Sequence, residues 1–479
     1  MKSPILGSSY VARSVNAADA RMVNLFPEIV PEAGKEPAFL NRAPGLNFLN
    51  TIGLGPIRGL WAFSSNDGTG FVVSGTQLYK IDNAYAPTLI GSVSGTGPVS
   101  MADNGTQLFI ACNGPSFIYN ANTNAFGPIT DPDFPGAVTV SYLDGYFVFN
   151  KPNSQEMWVT AFLDGTTIDP SEFQQTAASP DGLVAVISNF REVWAFGTNS
   201  IEVWSDTAAL DFPLERIPGA FNELGCAAPY SIAKMDNSLF WLGRDRRGQG
   251  IVYRANGYAG QRVSTHAVEW QIQQYTDLSD AVGYTYQQEG HSFYVLIFPT
   301  ADTTWVYDAS TQAWHERAGW INGAFTRHRS NCQMAFNNKI VVGDFENGNI
   351  YSFDLENYSD NGQIQKWLRT WRALPPGQNN LKRTAQHSLQ LDIEAGTGLN
   401  SGQGSDPEIM LRFSDDGGHT WSNEHWAKMG KIGEYFKRVF WRRLGMTLKL
   451  RDRVYEVSGT DPVKIAIMGA ELIVSPTNA

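Results

Sequence analysis

The sequence predicts an all-β chain organised around a β-propeller, and three observations lead there. One phrase recurs seven times between Leu60 and Asn357: a short apolar strand, a Gly/Asn/Asp turn, then a second strand ending in an apolar-aromatic pair. The chain is rich in glycine and aromatic residues and sparse in charge, which suits many short strands joined by tight turns. Almost no stretch holds the 3.6-residue periodicity of an amphipathic helix.

The phrase runs from Phe71-Val72-Val73 into Leu78-Tyr79, from Leu108-Phe109-Ile110 into Ile118-Tyr119, from Tyr146-Phe147-Val148-Phe149 into Trp158-Val159, and from Val193-Trp194-Ala195-Phe196 into Val203-Trp204. Leu239-Phe240-Trp241-Leu242 with Val252-Tyr253, Phe293-Tyr294-Val295-Leu296 with Val306-Tyr307, and Ile340-Val341-Val342 with Ile350-Tyr351 complete it. The second-strand aromatics return every 40 to 54 residues or so, near the period of a four-stranded blade. A further strand precedes several hairpins, as in Val138 to Tyr142 and Leu183 to Ile187. Each hairpin has an apolar face that only a neighbouring unit can cover, so radial stacking and ring closure are expected. Seven blades are counted, or six if one unit belongs to a flanking element; a string of hairpins in a solenoid or sandwich is the alternative.

Three regions follow. Residues 1–56 are polar and Pro-rich and read as an extended N-terminal arm that docks, 57–372 as the propeller, and 373–479 as a smaller C-terminal β-domain. At 479 residues the chain exceeds one ordinary core. No basic leader with an apolar run and no bilayer-length apolar span is present, so the expected setting is the cytoplasm or an assembly built there.

Catalytic and metal chemistries find little support. Cys112, Cys226 and Cys332 are isolated and read as small buried hydrophobes, and the seven histidines form no ligand pair, so no metal and no cofactor are assigned. Gly396 to Gly402 opens no helix and reads as a hairpin tip rather than a phosphate cradle. Asp131 and Asp133, like Asp415 and Asp416, sit in turn-rich sequence where solvated or turn-closing roles dominate. The sharpest local motif, Ser414-Asp415-Asp416-Gly417-Gly418-His419-Thr420-Trp421, fits an Asp-box hairpin, with Ser414, Asp416, Gly418, Thr420 and Trp421 at its defining positions. Asp-boxes are best known from sialidases, yet they are structural there. A sialidase would also need several boxes, an arginine cluster and a Tyr/Glu nucleophile pair.

Charge is less even than the net value of −11 suggests. Lys428, Lys431, Lys437, Arg438, Arg442, Arg443, Lys449, Arg451 and Arg453 crowd one segment against only Glu434 and Asp452, which leaves the remainder near −18. These nine cations are the candidate docking surface for an acidic partner or phosphate; a solvated β-surface is the plain alternative. Tyr435, Phe436, Phe440 and Trp441 interleave with them and suit either an interface or the domain's own core.

Certain segments resemble a known family. Asn16-Ala17-Ala18-Asp19-Ala20-Arg21-Met22-Val23-Asn24-Leu25-Phe26-Pro27-Glu28, Arg42-Ala43-Pro44-Gly45-Leu46 and Gly55-Pro56-Ile57-Arg58-Gly59-Leu60 are similar to the start of the packaged-DNA stabilisation proteins of short-tailed bacteriophages. Phe413 to Trp421, Gly433 to Arg438, Trp441-Arg442-Arg443-Leu444-Gly445 and Asp461-Pro462-Val463-Lys464 resemble that family's closing segment. The resemblance implies a tail hub or nozzle: a propeller chain forming a six-copy ring below the portal and its adaptor, prolonging the DNA channel, helping to retain packaged DNA and meeting the tail needle or fibres. It implies no enzyme, no cofactor and no membrane insertion, and a place in the virion tail after assembly in the host cytoplasm. The arm and the basic segment are then the candidates for contact with neighbours. A monomeric propeller that binds glycan or protein is the competing reading, with a sialidase-like glycosidase behind it.

Overall fold

The computed structural model describes residues 1–14, 18–31, 34–64, 68–176, 179–209, 212–378, 382–448 and 452–477. Six successive antiparallel units follow the chain: four are four-stranded sheets, the fifth gains a fifth strand from Gly225–Cys226, and the sixth is the four-strand beginning of a larger sheet. The first runs through Ile57–Ala62, Gly70–Ser74, Gln77–Ile81 and Pro87–Ser92; the others span residues 100–128, 140–175, 183–222, 233–262 and 282–316. A seventh takes three strands from Ser330–Phe336, Lys339–Asp344 and Asn349–Asp354, and its fourth from Gly45–Thr51 near the other end of the chain. Leu46 pairs with Phe353 and Asn47 with Ser352 in that last ladder. The only α-helix among the described residues, His266–Ile272, is short and capped by Thr265, and no helix among them is long and apolar enough to cross a membrane.

Why the second strand of each unit reads as a continuous apolar run is plain from the packing. Val72 belongs to a core shared with Ile57, Met334 and Ile350, whereas Phe71 and Val73 face Met101, Leu108 and Ile110 of the next sheet. Alternate side chains therefore enter different cores, and both must be apolar. Each of the seven junctions between neighbouring sheets has its own buried cluster, the last closing the seventh sheet on the first. The first strands line one axial channel of about 580 Å³.

Those first strands splay apart, and side chains bridge them where a backbone ladder does not. Around the ring, Trp61 Nε1 donates to Asp103, Val140 N to Ser100 Oγ, Val186 N to Thr139 Oγ1 and Lys234 Nζ to Ser188 Oγ. Thr285 Oγ1 donates to the Lys234 carbonyl, Tyr284 bonds Ser330, and Asn331 Nδ2 donates to the Ile57 carbonyl. Gly283 is required on one of these strands, because a Cβ there would collide with the carbonyl of Ser231.

The expected arm is instead woven into its own chain. Lys2–Ser3 and Ala38–Arg42 both pair with Ala466–Pro476, and Leu25–Ile29 closes a hairpin on Ala38–Arg42. Met22–Val23 sits between Ala313–Glu316 of the sixth sheet and Trp367–Arg372, joining the propeller to the C-terminal domain in one nine-stranded sheet. Trp367–Arg372, assigned by sequence to the propeller, pairs with Val454–Gly459. The C-terminal domain stacks this sheet on a second one around Trp367, Trp371, Leu389, Leu411, Tyr455 and Ile467. Arg42 is buried and donates to carbonyls of Tyr358, Gln365, Asp461 and Val463, so the arm's hydrogen bonds are spent internally.

Two outcomes test this architecture. Leu46 is fully buried, and Leu46→Ala is expected to cost about 2–5 kcal/mol in urea unfolding. Burial, with Arg317 and Arg329 adding repulsion, holds the His328 imidazole down to about 3. The unfolded chain then binds the extra proton between its ordinary value near 6.5 and about 3, so this residue's contribution to stability falls on acidification through that window. His328→Gln is expected to flatten that part of the stability–pH profile.

Candidate docking surface

The Ser414–Trp421 turn ends the strand Glu408–Ser414. Asp416 Oδ1 accepts from the backbone N–H groups of His419 and Thr420 at 3.0 and 2.9 Å, and its other oxygen accepts from the Thr420 hydroxyl at 2.6 Å. Ser414 Oγ donates to Asp416 and accepts from Gly418 N, while Gly418 takes φ +101°, where a side chain would be strained. The Thr420 hydroxyl bond, reinforced by those amides, holds the Asp416 carboxyl well below the usual carboxylate range. Arg412 lies 4.8 Å over the Trp421 ring, and Asp415 accepts both forks of Arg453 at 2.6 and 2.7 Å. Both carboxylates are therefore occupied by the turn and its foundation.

The nine cations separate into different roles. Arg453 is buried, at 2% exposure, and sits under the turn rather than on a surface. Lys428 pairs with Asp406. Lys449 and Arg451 lie outside the described residues. Lys431, Lys437, Arg438, Arg442 and Arg443 are exposed and have no carboxylate partner among the described residues. They lie on or beside residues 429–438, which connect His425–Lys428, at the edge of one sheet, to Val439–Arg442, at the edge of the other. Strand alternation sends Val439 and Trp441 into the core and leaves Phe440 half-buried under the guanidinium groups of Arg438 and Arg442. Tyr435 and Phe436 are 76% and 87% exposed, Ile432 in the same loop is exposed too, and so is Trp426 on the strand before it. The result is an exposed aromatic tip flanked in sequence by cations that form no ion pair among the described residues.

The axial channel offers a different chemistry. Its wall is mainly hydroxyl, amide and apolar, and Arg58 there donates to the carbonyls of Gly75, Ser94 and Gly97. Among the described residues no three His, Cys, Asp or Glu side chains group as a metal site.

The family model described as Bacteriophage P22 Gp10, beta-propeller matches residues 1–358, and the one described as Bacteriophage P22 Gp10, beta-sandwich matches residues 366–475. The chain belongs to the P22 Gp10 family. The tail hub protein gp10 of Salmonella phage P22 is 23% identical over 415 residues, covering 82% of this chain and 83% of that protein. Among solved structures, virginiamycin B lyase from Staphylococcus aureus aligns with a TM-score of 0.43 at 12% identity, over 64% of this chain and 98% of that one. The WD40 repeats of RRP9 align with a TM-score of 0.40 at 10% identity, over 66% and 100%.

The border between the two family segments falls where the strands change allegiance, between Asn349–Asp354 in the seventh sheet and Trp367–Arg372 in the sandwich. Sequence reasoning did not separate Arg453 from the exposed cations, because charge alone carries no face. The alternation Val439-Phe440-Trp441-Arg442 was the available signal. Because Asp416 has a depressed folded-state value, its stabilisation is present above the ordinary range near 4 and is lost as pH falls below it. Asp416→Ala is expected to lower the thermal midpoint at pH 7 and to match the parent more closely near pH 2.

Proposed function

We propose that this chain is a structural tail hub of a short-tailed bacteriophage, a component of the virion tail rather than an enzyme. The observation that carries the reading is the match of both family segments, supported by the likeness to the phage P22 tail hub protein over most of either chain. In this reading copies of the chain, six by the resemblance in sequence, close a ring below the portal and adaptor. The ring prolongs the DNA channel, helps to retain packaged DNA and meets a needle or fibre. Assembly takes place in the host cytoplasm.

The physics suits the role. The chain carries a net charge of −11, and a ring that turned this acidity toward its passage would repel phosphate, so DNA would slide past without the counterion release that would hold it on a basic wall. A closed ring needs heterologous contacts that return on themselves, and a stiff propeller with a sandwich at one side supplies two separated surfaces for them. The exposed cations Lys437, Arg438, Arg442 and Arg443 are the docking candidates.

Electron microscopy of the purified chain, alone and with its portal-adaptor complex, tests the hub. Rings with an axial channel stacked on the adaptor are expected; single propellers that ignore the adaptor would overturn it and leave a monomeric binding module. Replacing Lys437, Arg438, Arg442 and Arg443 together by glutamate is expected to abolish ring assembly or adaptor docking. The thermal midpoint should move by no more than about 2 °C, since exposed substitutions cost little.

A further inference from the structure

The corner loops of the third and fourth sheets, across the channel from the sandwich, carry an anomaly. Phe190 sits at the hairpin corner between Leu183–Asn189 and Glu192–Gly197 with φ 55°, and Leu163, in the loop after Glu156–Val159, has φ 60°. Bulky side chains are rare in this left-handed region, where Gly, Asn or Asp is the comfortable choice. Both are also exposed, at 68% and 54%, beside Phe162 at 61%. Each position thus bears two costs, backbone strain and apolar surface in water.

These corners lie together. Asn104 Nδ2 donates to the Leu163 carbonyl, Phe162 packs on Tyr146, and Arg191, next to Phe190, pairs with Asp144. The surroundings are acidic: Asp164, Asp169, Glu172, Glu192 and Asp206 stand at the same end of the third and fourth sheets. Arg191 is the one cation in the described corner loops there, and Asp144 already neutralises it. The sandwich is fastened to the sixth and seventh sheets, across the channel in a seven-membered ring.

We propose that the Phe162–Leu163–Phe190 surface receives the Tyr435–Phe436 tip of a second copy of this chain. This proposal rests on the ring reading above. One surface is aromatic with an acidic surround, the other aromatic with cations, so apolar cores would meet inside complementary rims. Because one patch lies on the third and fourth sheets and the other on the C-terminal domain, the contact is head-to-tail, the type a cyclic ring requires, whereas a single self-complementary patch would stop at a dimer. Each exposed aromatic offers roughly 150–250 Å² for burial, which suits them as anchors.

Cysteine pairing tests the contact directly. Full-length Phe190→Cys and Phe436→Cys chains, mixed under mild oxidation, are expected to give a disulfide-linked dimer that neither gives alone. Phe190→Asn with Leu163→Asn relieves the backbone, so the thermal midpoint should hold or rise while self-association by sedimentation weakens at least tenfold. A cross-link of Phe190→Cys chains to themselves would make the contact isologous and overturn the proposal. So would undiminished association of the double Asn variant, or wild-type rings whose mixed cysteine variants never link; those two results leave the hub standing. Absence of rings from the wild-type chain, with and without adaptor, would instead remove the ring reading and this contact with it.

Discussion

Closure of the propeller on itself is the constraint on which the rest of the molecule depends. Sheets arranged about an axis converge at their first strands, yet the splay leaves no continuous ladder between neighbours. The chain answers with a side-chain bridge at every junction, from Trp61 to Asp103 through to Asn331 on Ile57. Hydroxyl, amide and indole groups reach where backbone does not, and the wider parts of each junction are filled by apolar clusters. A buried polar group that finds its partner specifies one register, whereas one left unmade would be costly. The channel wall is therefore committed to holding the ring, with little left over for chemistry.

The second commitment is the coupling of propeller to sandwich through the N-terminal segment. Asn24 illustrates the economy. With φ 53° it turns the chain between Met22–Val23 and Leu25–Ile29, while its amide donates to the carbonyls of Ala318 and Lys366 and accepts from Ala318 N. One residue thus ties the end of the sixth sheet to the first sandwich strand. Arg369 extends the same seam by donating to Ile5 and Ala20 carbonyls. A rigid joint of this kind suits a part whose two ends are proposed to engage different copies.

Much of the architecture was legible in the sequence because second strands are apolar on both faces. Phe71-Val72-Val73 and Leu108-Phe109-Ile110 cannot be read as anything solvated. The fourth strand of the seventh sheet was not legible. Gly45–Thr51 is half-exposed, lacks a strong alternation, and finds its partner far along the chain. The C-terminal domain was legible as a β region, but its strand His425–Lys428 was not, being short and exposed on a sheet edge. Of the docking cations, Arg453 was misplaced because its partner Asp415 is distant in sequence. The aromatic at Phe190 carried a signal that went unread: Asn189-Phe190-Arg191 occupies a hairpin corner where a glycine or asparagine is ordinary.

The pairing of Gly45–Thr51 with Asn349–Asp354 also sets the order of events during synthesis. About 300 residues separate the two strands, so at roughly 5–20 residues per second the first waits some 15–60 seconds for its partner to leave the ribosome. Six sheets can form locally in that interval while the ring stays open, its terminal edges unpaired and its channel-side bridges incomplete. Topology of such long range folds slowly, and the open ring is the species most exposed to pairing with the wrong chain. Late closure from the N-terminal side means that no competent subunit exists until the whole propeller has been made, which keeps unfinished chains out of any assembly.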